Sequence, residues 1–188
     1  MNCHIAKDLV PKDSFAHIRR VITSPGFPWY FTDNVATYNK MPSGKHFGFS
    51  HIFFEINKSR SEYLDICEPI LSCAQEKFDI SVEHLLRIRG GLYTNVGEKI
   101  HHEFHIDYPS PHRVLLFYVC GDGETDISQE KFSLQQTGEM MLKDDKTKSF
   151  ERIEPRPNMG VLFDGDFFHR SSTPTQEDAR IVISFDFI

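Results

Sequence analysis

The chain has 188 residues, of which 39% are apolar and 26% are charged, a composition that fits one globular domain covering residues 1–188. Its formal net charge is −6 and no run of Lys and Arg forms a basic stripe, so counterion release would add little to binding of duplex nucleic acid. No segment is long and apolar enough to suggest a membrane span.

Cysteine usage and the first residues indicate where the protein works. The four cysteines show no CxxC spacing and no dense framework, which favours a reduced compartment. The amino-terminal segment lacks the apolar core that marks a signal peptide. We therefore expect a cytoplasmic protein.

Helical patterns occupy the first part of the chain, up to about residue 80. Apolar residues recur at helical spacing in Pro11–Ser24, which ends before the breaker pair Pro25–Gly26, and again in Ser61–Phe78. Both segments are predicted to be amphipathic helices that pack on a sheet and support it.

From about residue 82 to the end, short extended segments alternate with turn residues. These segments are Leu85–Arg89, Leu92–Thr94, Glu103–Tyr108, Val114–Cys120, Glu124–Ser128, Gly160–Phe163 and Ile181–Ile188. Several short strands at this spacing are typical of a sandwich or barrel, and seventeen Phe suit a sheet-rich core. The predicted class is α+β, or mainly β with flanking helices.

Two polar stretches show no periodicity. They are Thr32–His46, which contains Gly and Pro, and Gln129–Glu151, which is rich in Lys and Asp. Both are expected to be surface loops, and the first is also a candidate for a lid over a binding site.

A metal half-site is predicted at His105 and Asp107. The two residues are two apart on a predicted strand, so alternation sends both side chains to one face. His169, which follows the apolar run beginning at Gly160, can supply a third ligand from a distant strand. Two His and one carboxylate leave one side of a metal open, as in the facial triad of non-haem iron(II) oxygenases.

Arg180 heads the otherwise apolar segment that ends the chain, and it is the only Arg or Lys there. A guanidinium in such a place can form the bidentate pair that a buried carboxylate requires. The alternative is an arginine at a strand edge that reaches solvent.

His101, His102 and His112 lie near the proposed ligands. His102 and His105 are three residues apart, so on an extended strand they would point to opposite faces. We expect His102 at the surface rather than at the metal, with a place in the pocket wall as the alternative.

Five motifs in order resemble those of the 2-oxoglutarate/iron(II) dioxygenase superfamily, and within it the prolyl 4-hydroxylase-like enzymes. They are the His105-x-Asp107 pair, Tyr118 in a Leu-Leu-Phe-Tyr-Val segment, Gly123-Glu-Thr, Gly160-Val-Leu-Phe, and His169 followed by Arg180. The resemblance covers roughly Leu85 to Ile188, just over half of the chain.

This resemblance implies a double-stranded β-helix, a jelly-roll or cupin-like barrel over residues 82–188 with helical support before it. It implies that His105, Asp107 and His169 ligate iron(II) and that Arg180 binds the far carboxylate of 2-oxoglutarate. By the same resemblance, Tyr93 and Tyr118 would place hydroxyl groups near the co-substrate. The implied reaction uses dioxygen, with ascorbate as an accessory reductant, and hydroxylates a small molecule or peptide.

Other interpretations of the same residues stay open. The enzyme could be specifically a peptidyl-prolyl 4-hydroxylase, although collagen-type relatives place Lys where Arg180 stands. The chain could instead be a non-catalytic jelly-roll binding protein, or a cupin-like barrel that holds zinc or manganese.

Overall fold

A computed structural model of the chain describes residues 3–33, 35, 46–133 and 149–188, together with the backbone of residues 141–142. Its strands are β1 (Cys3–Ala6), β2 (Tyr30–Thr32), β3 (Gly48–Glu55), β4 (Lys58–Ser59), β5 (Leu85–Thr94), β6 (Phe104–His105), β7 (Arg113–Cys120), β8 (Thr125–Lys131), β9 (Met141–Leu142), β10 (Phe150–Ile153), β11 (Met159–Asp164), β12 (Phe167–Ser171) and β13 (Ala179–Phe187). Its helices are α1 (Lys12–Ile22), a 3-10 turn (Leu64–Cys67) and α2 (Glu68–Phe78).

The strands form two antiparallel sheets. The larger sheet has the order β1-β11-β7-β13-β5-β3-β2, with β4 added beside β3. The smaller sheet has the order β10-β8-β12-β6-β9. The chain is therefore mainly β and jelly-roll-like, with few helices, as its sequence predicts.

The main apolar core lies between the helices and the outer face of the larger sheet. Ile18 and Ile22 of α1 and Ile70 of α2 are fully buried there, in one cluster with Phe117 and Phe185 of the sheet. Burial of such side chains is the dominant stabilising contribution to folding. The helices thus cover one face of the sheet and leave the other face for the space between the sheets.

Alternation along the strands separates the two faces of the larger sheet. On β13, Ile183 and Phe185 belong to the apolar core, whereas Arg180, Val182 and Ser184 line a cavity on the inner face. The polar side chains of the last strand therefore share one face because they are two residues apart.

The first eighty residues contain more than the two expected helices. Strand β1 pairs with β11, and β3 pairs with β5, so this part of the chain extends the larger sheet on both sides. The second helix also starts later than predicted, at Glu68, because Pro69 suits a first helical turn and cannot occupy a helix interior.

The predicted polar loops lie partly outside the described residues. Residues 34, 36–45, 134–140 and 143–148 are not described, so the expected lid at 32–46 or 129–151 lies largely outside the described residues. Within the described part, β8 continues to Lys131, beyond the predicted end of that strand. No helix in the described ranges is long and apolar enough to cross a membrane.

Candidate active site

Three predicted metal ligands come together on the smaller sheet. His105 on β6 is the direct cross-strand partner of His169 on β12, and their ring centroids are 4.7 Å apart. Asp107 completes the group, with its Oδ2 3.1 Å from Nε2 of His169. One ligand atom from each residue lies within 4.8 Å of the others, close enough for all three to hold one metal ion.

Backbone hydrogen bonds fix the orientation of both imidazole rings. Nδ1 of His105 donates to the carbonyl of Glu103 at 3.1 Å, and Nδ1 of His169 donates to the carbonyl of Phe167 at 3.2 Å. The Nε2 atoms are therefore left for the shared site. Such contacts set the tautomer and ring direction of histidine ligands.

A buried arginine joins Asp107 to a second carboxylate. Arg87 on β5 forms a hydrogen-bonded ion pair with Oδ1 of Asp107, and its Nε donates to Asp186 on β13 at 2.9 Å. The side chain of Asp186 is fully buried, and one of its oxygens has no partner among the described residues. Arg87 thus connects the candidate metal ligand Asp107 to the inner face of the larger sheet.

The charges in this network shift each other's pKa. Burial acts to raise the pKa of Asp107, but the positive charge of Arg87 and the hydrogen bond with His169 outweigh it and hold that pKa well below its usual range. Burial and the charge of Asp107 together raise the pKa of Asp186 to about 7. Burial and the neighbouring His169 lower the pKa of His105 to about 4. Asp107 and His105 are therefore held in the forms that bind metal, a carboxylate and a neutral imidazole.

Arg180 lies at the other end of the cavity and is 1% exposed. Its Nη2 donates to Oγ1 of Thr125 at 2.9 Å, while Nε and Nη1 have no hydrogen-bond partner in the described part of the chain. The guanidinium lies 5.4 Å from the ring of Tyr93 and 5.5 Å from that of Tyr118, both measured to the ring centroid. A buried charge with free donors is costly unless an anion meets it.

Tyr118 belongs to the same group of side chains. Its hydroxyl donates to Oγ1 of Thr125 at 2.9 Å, so one threonine oxygen receives both the tyrosine and the arginine. Tyr93 also lines the cavity, with its ring against the guanidinium. The structure therefore brings Tyr93 and Tyr118 to Arg180, and their placement beside the co-substrate stays a prediction.

Close packing behind Arg180 explains the glycines that precede Thr125. Gly123 has φ +99°, and a Cβ there would lie 2.8 Å from the carbonyl oxygen of Ser172 and 3.1 Å from Cδ of Arg180. A Cβ on Gly121, at φ +88°, would lie 2.3 Å from the carbonyl oxygen of Ala179. Only glycine fits these positions, because they combine a left-handed backbone with direct contact to the arginine strand.

The arrangement of strands is shared with solved structures. A 2OG-Fe(II) oxygenase family oxidoreductase from Burkholderia pseudomallei matches 99% of this chain and 84% of its own at 10% identity, with a TM-score of 0.66. A prolyl-4-hydroxylase from Pseudomonas putida matches 99% of this chain and 92% of its own at 12% identity, with a TM-score of 0.57. HygX from Streptomyces hygroscopicus, solved with nickel and 2-oxoglutarate bound, matches 99% and 82% at 12% identity, with a TM-score of 0.58.

The chain has the fold of the 2-oxoglutarate/iron(II) oxygenases. No protein-family model and no curated protein matches its sequence. At this level of identity the likeness concerns the fold, and the chemistry has to be argued from the residues of this chain.

The structure corrects the sequence prediction at the strand of His105 and at His102. The strand predicted at Glu103–Tyr108 is only β6, so Asp107 follows it in a bend rather than sharing a strand with His105. The turn around Pro109 takes the chain out of the sheet, since proline cannot donate to a strand ladder. His102 is not at the surface: it is 1% exposed and packs against Tyr93 at a centroid distance of 5.3 Å.

His102 remains apart from the cluster of three. Neither of its ring nitrogens has a hydrogen-bond partner among the described residues. Burial, together with the nearby His46 and Arg180, lowers its pKa to about 3, which indicates a neutral ring. The interpretation of Arg180 as a strand-edge residue in solvent is also wrong, because its side chain is fully enclosed.

Sequence reasoning missed the arginines of β5. The segment Leu85–Thr94 is one strand rather than two, and alternation along it places Arg87, Arg89, Gly91 and Tyr93 on the cavity side. Counting every second residue backwards from Tyr93 would have found both arginines. Splitting the strand at Gly90–Gly91 concealed this pattern.

Proposed function

We propose that this protein is an iron(II)- and 2-oxoglutarate-dependent dioxygenase that hydroxylates a small molecule or a peptide side chain. The observation that carries the proposal is one cavity with a different group at each end. His105, Asp107 and His169 converge at one end, and the buried guanidinium of Arg180 offers unpartnered donors at the other.

The residues of the cavity fit both iron(II) and oxoglutarate. His105, Asp107 and His169 would hold iron(II), because two imidazoles and a carboxylate on one side leave the rest of the coordination sphere open. Arg180 would bind the distal carboxylate of oxoglutarate through Nε and Nη1, which lack other partners in the described residues. We also infer that the two sheets constitute a double-stranded β-helix.

The chemistry itself would come from the bound groups. When iron(II) and oxoglutarate are in place, dioxygen oxidises oxoglutarate to succinate and carbon dioxide, and one oxygen atom goes to a C–H bond of the substrate. The protein contributes orientation and charge. Arg87 keeps Asp107 ionised, and the carbonyls of Glu103 and Phe167 hold the two imidazole rings.

Hydroxylation is favoured over a purely binding role by how complete the site is. A jelly-roll kept only for binding would not require a buried Arg87 shared between Asp107 and Asp186 beside two oriented histidines. Peptidyl-prolyl 4-hydroxylation is the narrower alternative, supported by the shared fold of the Pseudomonas putida enzyme. No feature of the described cavity selects proline in particular.

The proposal is tested by measuring succinate. The purified protein, freshly loaded with iron(II) and supplied with oxoglutarate, ascorbate and dioxygen, is expected to form succinate slowly even without its primary substrate. The variants His105→Ala and Asp107→Ala are expected to lose iron binding and with it succinate formation, because each removes a ligand. His84→Ala, which changes an exposed histidine away from the cavity, is the matched control.

Two results would count against this function. One is wild-type protein that forms no succinate with fresh iron(II) and shows no heat of oxoglutarate binding in calorimetry. The other is wild-type iron affinity in either ligand variant, which would move the metal elsewhere. Zinc or manganese bound in preference to iron, without oxoglutarate turnover, would favour the cupin-like alternative.

A further inference from the structure

The inner face of the larger sheet forms the floor of the cavity. Besides Arg87 and Arg180, this floor carries a third arginine that has no assigned role. Arg89 on β5 lies between Arg87 and Gly91 on the inner face, and it lines the same cavity as His105 and Asp107. Its cross-strand partners are Ser184 on β13 and Ile52 on β3. Both Arg87 and Arg89 are half-buried, but Arg87 is held by ion pairs with Asp107 and Asp186.

Arg89 has no counter-charge within the described residues. The carboxylates of Asp107 and Asp186 are both bonded to Arg87. Arg170, on the opposite wall, is bonded to Asp126. No described side chain forms an ion pair or hydrogen bond with the Arg89 guanidinium, although it lies in a recess where charges are less screened than at the open surface.

The formal charges of a loaded site leave Arg89 in excess. Iron(II) and Arg180 together carry three positive charges, and Asp107 with dianionic oxoglutarate carries three negative charges. Arg87 is paired with Asp186. The guanidinium of Arg89 therefore remains as one positive charge beside the space left for the primary substrate.

We propose that Arg89 is the specificity residue for the primary substrate and binds a carboxylate group on it. This inference rests on the proposed function, since it concerns the same cavity. A carboxylate carries a negative charge that can pair with Arg89, and its two oxygens match the planar fork of arginine. The primary substrate would thus be a carboxylic acid, such as an amino acid or a peptide ending in a free carboxylate.

Hydroxyl groups near Arg89 can add hydrogen bonds to such a ligand. A Cβ on Gly91, two residues after Arg89 on the cavity side, would lie 3.1 Å from the hydroxyl oxygen of Tyr93, so this hydroxyl lies over Gly91 on the inner face. The hydroxyl of Ser184 on the adjacent strand donates to the backbone carbonyl of Arg89 at 3.3 Å. On the other side, the hydroxyl oxygens of Ser50 and Thr32 lie 3.2 Å apart on β3 and β2, and their strands continue this surface outward.

The test uses benzoate as a probe carboxylate and benzamide as its neutral counterpart. Protein loaded with redox-inactive zinc and saturated with oxoglutarate is titrated with each compound by calorimetry or ligand-observed NMR. Wild type is expected to bind benzoate at least about tenfold more tightly than benzamide, because only the acid pairs with the guanidinium. Arg89→Met is expected to abolish this preference while leaving oxoglutarate affinity within about twofold of wild type.

Controls separate this inference from the proposed function. Arg60→Met removes an exposed arginine and should keep the preference for benzoate.

Equal binding of acid and amide by wild type, or an unchanged preference in Arg89→Met, would overturn the role of Arg89 while the oxoglutarate site stands. Loss of oxoglutarate binding in Arg89→Met would assign the residue to the co-substrate instead. Tighter binding of phenyl phosphate than of benzoate would replace a carboxylate by a phosphate. Wild type that does not bind oxoglutarate would overturn the proposed function.

Discussion

The two ends of the cavity handle buried charge in opposite ways. At the end with His105 and His169, the carboxylate of Asp107 already has Arg87 and His169 as partners before any metal binds. At the far end, the enclosed guanidinium of Arg180 meets only hydroxyl groups, those of Thr125 and Tyr118, and its Nε and Nη1 have no partner among the described residues. The charge of the Asp107 carboxylate is therefore nearly neutralised by its partners. The positive charge of Arg180 is not paired with any carboxylate of the described residues.

This difference indicates what each end is prepared to receive. A metal ligand must be deprotonated and correctly aimed, and the ion pair of Arg87 with Oδ1 of Asp107 achieves both while Oδ2 faces Nε2 of His169. A carboxylate ligand instead needs donors that are free and desolvated in advance. The aromatic faces of Tyr93 and Tyr118 lessen the burial cost of Arg180 while leaving its edge nitrogens open.

The largest difference between the two ends is expected when the positive charge of Arg180 is removed. Arg180→Ala should weaken oxoglutarate binding by about 2–4 kcal/mol, roughly 30- to 800-fold, because the distal carboxylate would be buried without a partner. Iron affinity should change little. Calorimetry with each ligand in turn measures both effects on one protein.

Arg180→Lys sharpens the same measurement. Lysine keeps the charge but not the planar fork, so oxoglutarate affinity should fall between those of wild type and the alanine variant. Equal oxoglutarate affinity in all three proteins would show that the co-substrate binds elsewhere.

A smaller effect, on iron binding, is expected at the end of the cavity that holds Asp107. Arg87→Met leaves Asp107 without its ion pair and should weaken iron binding about 10- to 100-fold, the usual range for a group that supports a metal ligand. Metal affinity can be followed through the visible absorption of bound cobalt(II), which also reports distorted geometry.

Asp186→Asn is the matched control for that variant. It removes the other carboxylate that Arg87 contacts but leaves the contact with Asp107, so metal affinity should stay within about threefold of wild type. If Asp186→Asn weakened metal as much as Arg87→Met, the effect would come from general damage to the floor rather than from the support of Asp107.

The smallest effect concerns a loop behind Arg180. Asp122 accepts hydrogen bonds from the backbone N–H groups of Thr175, Gln176 and Glu177. Burial acts to raise its pKa, but these donors outweigh it and lower the pKa to about 2. The stabilisation should be complete above the ordinary aspartate pKa near pH 4 and should be lost as pH falls toward about 2.

Asp122→Ala should lower the free energy of unfolding by about 1 kcal/mol near neutral pH and by less at pH 3. Denaturant unfolding at both pH values measures the difference, with Asp178→Ala as an exposed control. Oxoglutarate affinity should change by less than about twofold, since Asp122 braces the loop without entering the cavity. A constant penalty at both pH values would contradict the assigned cause.

The sequence was sufficient for the residues whose chemistry is distinctive and whose order along the chain is informative. His105, Asp107, His169 and Arg180 could be selected because few residue types bind metal or carboxylates, and their spacing matches a known order of motifs. The mainly β class followed from short strands punctuated by turn residues. The structure brings these four side chains to one cavity.

The supporting groups depend on register, which the sequence does not reveal. Arg87 and Asp186 are 99 residues apart in the chain, yet they meet because β5 and β13 pair with Arg87 opposite Asp186. A slip of one residue would turn Arg87 to the helical side, since side chains alternate between faces. Likewise, the early departure of Asp107 from the sheet depends on the turn at Pro109 rather than on any strand pattern.

Thr125 and Arg87 also set the distance between the sheets. The hydroxyl of Thr125 on the smaller sheet receives Tyr118 and Arg180 from the larger one, while Arg87 reaches across to Asp107 at the opposite end. Because these contacts fix the distance between the sheets at both ends of the cavity, that distance does not depend on the side chains that lie between them. Variation of the intervening floor residues could therefore alter which molecules fit without moving the reactive groups, so this scaffold can diverge in substrate range while keeping one chemistry.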